Sequence, residues 1–201
     1  MSTAKDLFII AMDPQPDRSV GQGDLSLALA GAELIDLLDA RAAALDGDRI
    51  VPGEQPELHD ELLAEAQTVL TRQPPYERVE DWLWRRGRDL STAYQAALEE
   101  AGQLTRGRRG LLPFGTDRLE LADTPARRQA LGRWEADEPV LAALASAVGI
   151  GGEDSEDEPR RDDEAVTTVL AIVNDAVMEL EAVRQRRSIE NSAFANVWRV
   201  P

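Results

Sequence analysis

Six arginines in two short clusters are the residues of this 201-residue chain whose type and spacing best support chemistry. Arg85, Arg86 and Arg88 form the first, and Arg106, Arg108 and Arg109 the second. A guanidinium keeps its charge and offers five N–H donors in a planar fork, the geometry that suits phosphate. The second cluster lies beside Leu111, Leu112 and Phe114. Cations next to exposed apolar side chains suit an anionic membrane surface, where each arginine contributes about 1 kcal/mol and each inserted Leu or Phe roughly 1.5–3 kcal/mol. The plainer reading of the same residues is solvated arginines, with the apolar side chains in the core or in an oligomer interface.

Other chemistries find little support. Gly21-Gln22-Gly23-Asp24-Leu25-Ser26 looks like part of a dinucleotide-binding turn but lacks its third glycine, and no βαβ unit follows. His59 is the single histidine and there is no cysteine, which excludes disulfides, thiolate metal sites and multi-histidine centres. No nucleophile elbow and no phosphate-binding loop of the Walker type occurs. Carboxylate pairs are too numerous among 38 acids for any one to stand out as an acid/base couple. No catalytic residue, metal site or cofactor is therefore expected.

The net charge of -16 argues against nucleic-acid binding. It also conceals a local reversal. Residues 72–134 hold twelve arginines and nine acids, a net of +3, which leaves -19 for the rest. With a Debye length of about 8 Å at physiological salt, a basic face acts independently of a distant acidic one. The longest uncharged run, Pro139 to Gly152, is fourteen residues, short of the about 20 that a membrane-spanning helix needs. The apolar run Leu7 to Met12 is too short for a secretory signal. A cytoplasmic protein, peripheral on the inner membrane face, is the expectation.

The elements that must position these groups are mostly helical. Leu7 to Met12, closed by Asp13-Pro14, reads as a buried strand, with a helical turn as the alternative. Asp24 can cap a central helix carrying Leu25, Leu29, Ala32, Leu34, Ile35, Leu38 and Leu45. A turn at Asp46-Gly47-Asp48 precedes a short strand, Arg49-Ile50-Val51. Pro56 is expected to open a helix that Pro74-Pro75 stops. Trp82 and Trp84 should divide between core and surface. Past Gly87 a helix with Leu90, Tyr94 and Leu98 ends at Gly102, placed as a left-handed cap. A β-hairpin then turns at Gly107-Arg108-Arg109-Gly110. Asp123-Thr124-Pro125 starts a helix, and Pro139 another. Residues 151–165 read as a solvated acidic linker. A long helix follows, and the tail from Ser188 reads as irregular, docked through Phe194 and Trp198.

Several segments, in this order and spacing, resemble the Golgi phosphoprotein 3-like family. They are Leu7 to Asp13, Leu27-Ala28-Leu29-Ala30-Gly31-Ala32-Glu33-Leu34-Ile35-Asp36-Leu37, Ala97 to Leu104 running into Leu111-Leu112-Pro113-Phe114, and the helix start at Asp123-Thr124-Pro125. The likeness covers about residues 6–150 and is to a bacterial, actinobacterial-type member. It implies a mainly α fold: a single-domain helical bundle (1–150) with a protruding β-hairpin and short peripheral strands, the acidic linker (151–165), and a C-terminal helix and tail (166–201) packed on the same domain. It also implies a non-enzymatic peripheral membrane adaptor. The ligand of the eukaryotic relatives is phosphatidylinositol 4-phosphate, and the hairpin serves self-association and membrane contact. The family's head-group positions fall here on Gly21, Ala30, Ser91 and Ala93, none of which carries the expected tryptophan or arginine. Arg88, one turn before Ser91, can substitute for one of them. The resulting expectation is an adaptor that binds an anionic lipid, a phosphoinositide among the candidates, through Arg85, Arg86, Arg88, Arg106, Arg108 and Arg109. Leu111, Leu112 and Phe114 make the membrane or homo-oligomer contact. The alternatives are a soluble protein whose hairpin serves self-association alone and, more remotely, a winged-helix DNA binder.

Overall fold

The structure, a computed structural model, describes residues 2–13, 20–107, 118–151 and 163–197, with 106, 107, 118 and 191–197 described in backbone only. The chain builds a mainly α fold with two small antiparallel hairpins. Helix α1 (Thr3–Met12) is capped by Ser2, whose hydroxyl accepts the Lys5 amide at 3.3 Å. The Thr3 and Ala4 amides donate to the Asp36 carboxylate at 3.0 and 3.2 Å. Leu7 to Met12 is thus helical, not a strand. Leu7, Phe8, Ile9 and Ile10 are all buried, because α1 is covered by neighbours on nearly every side. A helix buried all round loses the 3.6-residue polar period by which it would be recognised.

Helix α2 (Gln22–Asp39) is the central element and contacts α1, α4, α5 and α8. Its N-cap is Gly21, not Asp24, which lies in the first turn. Gly31 lets α8 approach α2 closely, since a Cβ there would overlap Cγ2 of Val173. The helix ends at Asp39, and Arg41, whose φ of 56° is left-handed, turns the chain away, so Leu45 lies in strand β1 (Ala43–Asp46) and not on the helix. Strand β2 (Arg49–Pro52) pairs with it, Leu45 opposite Ile50.

Helix α3 (Glu61–Thr68) begins later than Pro56 because Asp60 supplies the cap, its carboxylate accepting from the Leu63 amide at 3.1 Å. Helices α4 (Val79–Arg86) and α5 (Leu90–Glu100) meet at a tight corner, Gly87-Arg88-Asp89. There a Cβ on Gly87 would crowd the carbonyls of Leu83 and Ser26. Trp82 is buried and donates its indole N–H to the Ala30 carbonyl at 3.1 Å, while Trp84 is 37% exposed.

Gly102, at φ 65°, turns the chain into β3 (Leu104–Gly107), which pairs with β4 (Arg118–Leu121) from Leu104↔Leu121 to Gly107↔Arg118. A hairpin does form in this stretch, but Gly107 pairs with Arg118, which excludes the expected tight turn at Gly107-Arg108-Arg109-Gly110 with a strand from Leu111. Arg108, Arg109, Leu111, Leu112 and Phe114 lie outside the described residues, as does most of the acidic segment 151–165. Thr124 caps α6 (Pro125–Glu135), with Pro125 at the first turn, and Glu138 caps α7 (Pro139–Ala147). Helix α8 (Glu164–Val197) buries Val166, Val169, Leu170, Val173 and Ala176. It does not become irregular at Ser188: residues 188–197 contain neither Gly nor Pro, and the helical backbone continues to Val197. The side chains of Phe194 and Trp198 lie outside the described residues.

Candidate functional site

The first arginine cluster divides three ways. Arg85 forms two 2.7 Å hydrogen bonds to Glu77 and stacks over Trp82 at 5.2 Å. Arg86 points inward. Its Nε and Nη2 donate to Glu33 at 2.7 and 3.0 Å, and Nη2 also reaches the Leu62 carbonyl at 3.1 Å. Glu33 additionally accepts from the Tyr94 hydroxyl at 3.2 Å. Burial pushes the Glu33 carboxyl up more than the Arg86 guanidinium and the Tyr94 hydroxyl pull it down. Burial likewise disfavours the Arg86 charge, but Glu33 more than compensates and its pKa is raised. This pair ties α2 to α4, so Arg86 is a strut of the bundle. Arg88 is exposed, and among the described residues it has no hydrogen-bond or ion-pair partner. Of the second cluster, Arg106 is placed in β3 by its backbone.

Arg88 lies on a cleft of about 550 Å³ formed by the first turns of α2, the α4–α5 corner and α8. Leu27, Trp84 and Leu180 provide apolar walls, and Gln22, Asp89 and Thr92 provide polar ones. The size falls within the range of about 300–1,000 Å³ usual for small-molecule sites. Ser26 and Ser91 share a buried 2.9 Å hydroxyl pair on its floor. Near the cleft, α8 is held against α2 by Arg184, which donates to Asp24 at 2.8 and 2.5 Å. The absence of side chains at Gly21 and Gly23 makes room for that guanidinium.

The positions at which the family resemblance places a head-group pocket separate in the structure. Ser91 lines the cleft, and Gly21 lies one residue before Gln22 on its rim. Ala30 is fully buried beneath Trp82, and Ala93 is half-buried. Sequence reasoning passed over Asp89, Trp84, Leu27 and Leu180. A corner built from Gly87-Arg88-Asp89 was the available signal, since Gly and Asp within three residues favour a sharp turn.

Among the described residues no group of His, Asp and Glu side chains is arranged to hold a metal ion. No helix there is long and apolar enough to cross a membrane. The buried carboxylates sit elsewhere, as ties between helices. Asp6 pairs with Arg133 between α1 and α6, and Asp36 caps α1, its carboxyl raised by burial to about 6.

A search of curated proteins returns no match. The family model for Golgi phosphoprotein 3 (GPP34) matches residues 4–188. That match spans nearly the whole chain, from the first turn of α1 to Ser188 in α8: the chain belongs to the Golgi phosphoprotein 3 family.

Proposed function

We propose that this protein is a non-enzymatic peripheral membrane adaptor that adheres to the cytoplasmic face of a membrane bearing anionic lipid. Family membership supports the class. Within the structure, the observation that carries the reading is Arg88, the one arginine of its cluster without a partner among the described residues, placed on an open cleft. Arg85, paired with Glu77 yet still half exposed, adds to the same face, whereas Arg86 acts through the fold. The hairpin supplies the remaining attraction. Arg106, Arg108 and Arg109 each add about 1 kcal/mol near an anionic surface, and Leu111, Leu112 and Phe114 add apolar insertion. Three such charges with a few apolar anchors give reversible, salt-sensitive adhesion.

Vesicle flotation tests this. The protein should float with vesicles of phosphatidylcholine containing phosphatidylglycerol and remain at the bottom with phosphatidylcholine alone. Replacing Arg106, Arg108 and Arg109 together by Gln should abolish flotation, as should Leu111→Asp with Phe114→Asp. Equal partition to both vesicle types, or to neither, rejects the reading. If the Asp variant changes only the mass measured by light scattering, the hairpin serves self-association alone.

A further inference from the structure

The charges on the cleft are balanced, and that balance identifies a ligand class. Arg88 and Asp89 are consecutive at the apex of the α4–α5 corner, and both are exposed. Asp89 occupies the N-cap position of α5, where an aspartate ordinarily accepts an amide of the first turn. Here it accepts none, because those amides are already satisfied. Ser91 N–H donates to the Ser26 hydroxyl at 3.0 Å, and Thr92 N–H to the Asp89 carbonyl at 3.0 Å. The Leu90 N–H donates to the Gly87 carbonyl at 3.3 Å. The carboxylate is thereby left free, on a residue held at φ 57° in the left-handed region that Asp tolerates. Beside it, Trp84 presents a partly exposed indole to the same cavity.

One free cation, one free carboxylate and one aromatic face do not suit a phosphate dianion. The second negative charge would find no free guanidinium, since among the described residues Arg88 is the arginine that lines the cleft and Arg184 beside it is engaged by Asp24, and it would meet Asp89. They suit a ligand with one negative and one positive charge a few bonds apart. We propose that this cleft binds a zwitterionic phosphodiester carrying a primary ammonium, the chemistry of a glycerophosphoethanolamine head group. Arg88 holds the phosphate through charge-assisted hydrogen bonds. Asp89 accepts from the ammonium, which lies over the Trp84 ring. Gln22 and Thr92 are the polar groups nearest the glycerol hydroxyls, and Leu27 and Leu180 face its carbon chain. This deepens the membrane reading and rests on it only for the lipid as source, because a free diester has the same chemistry.

The test uses the full chain and deacylated head groups, followed by the Trp84 indole N–H signal in NMR, assigned with Trp84→Phe. Glycerophosphoethanolamine should bind about three- to tenfold more tightly than glycerophosphoglycerol, which has the same phosphodiester and no ammonium, as an exposed ion pair with a cation–π contact gives. Asp89→Asn keeps the left-handed backbone and should make the two ligands equal. Arg88→Gln should weaken both. Neither side chain has a partner among the described residues, so both variants should melt as the parent does. The proposal is overturned if glycerophosphoglycerol binds as tightly, if Asp89→Asn leaves the preference intact, if glycerophosphocholine matches the ethanolamine ligand, or if none shifts the Trp84 signal. Neutral vesicles doped with phosphatidylethanolamine separate the sources: competition with the soluble diester assigns a lipid, and its absence alongside diester binding assigns a free diester. Loss of flotation with diester binding retained rejects the membrane reading and leaves this site standing.

Discussion

Replacing Arg86 by Met isolates what the buried ion pair contributes. Met keeps the aliphatic stem and removes the charge, the two bonds to Glu33 and the bond to the Leu62 carbonyl. The Glu33 side chain is fully buried and that of Arg86 is 10% exposed, so water cannot replace the lost donor. Removing one partner of such a pair costs about 3–5 kcal/mol, a large share of the about 5–15 kcal/mol that holds a domain folded. The cost must also depend on pH. Glu33 is raised above 4.5 even with Arg86 present, and without it the folded protein favours the protonated acid more strongly. A carboxyl raised in the folded state favours folding most at pH values below its unfolded pKa. That advantage fades as pH climbs through the folded one. The variant should therefore lose less at pH 5 than at pH 8. Urea unfolding followed by tryptophan fluorescence at the two pH values measures both effects, and Glu33→Gln combined with Arg86→Met should recover part of the loss. A cost below about 1 kcal/mol at pH 8, or the same cost at both pH values, would refute the strut and free Arg86 for a ligand.

The other two predictions concern packing and the cap on α1. Asp36 titrates at about 6 in the fold against 3.8 as a free side chain, because burial outweighs the amide bonds from Thr3 and Ala4. Stability should rise as pH falls from 6 towards 4, by up to about 3 kcal/mol from this group, and Asp36→Asn should flatten that slope; a wild-type urea midpoint that drops steadily from pH 7 to 5 contradicts it. Gly31→Ala forces a methyl against Val173 and should cost about 1–3 kcal/mol. Combined with Val173→Ala it should cost less than the two single changes added together, a double-mutant cycle that additive losses would refute.

The features legible in the sequence were those decided within a few residues. Thr124 before Pro125, Gly102 after α5, and Gly47 between β1 and β2 announce their local geometry, and the structure follows them. Leu7 to Met12 misled because its burial comes from α2, α6 and α7, which no local window contains. Pro56 misled because Asp60, four residues on, was the stronger start. The division of the arginines was beyond local reading for the same reason. Arg86 finds Glu33, 53 residues away, among 38 acids that all look alike in sequence.

The cleft shows the same limit in sharper form. Asp89 next to Arg88 reads as a self-neutralising pair, and Asp at a helix start reads as a cap. Neither holds, because the Ser26 hydroxyl, 65 positions from Ser91, takes the amide that would have engaged the carboxylate. A charge made available by a remote hydroxyl cannot be seen until α2 is laid beside α5. Ser26 and Ser91 therefore shape the site by tying α2 to the first turn of α5 beside Asp89. The same packing brings Leu180 of α8 to the cleft wall, held there by Arg184 on Asp24 in the space that Gly21 and Gly23 leave open. The residues that define the cleft's charge thus lie on the α4–α5 corner, and those that define its shape lie on the first turns of α2 and the middle of α8. Substitutions at the corner should change the cleft's charge, whereas substitutions at Gly23 or Leu180 should change its shape.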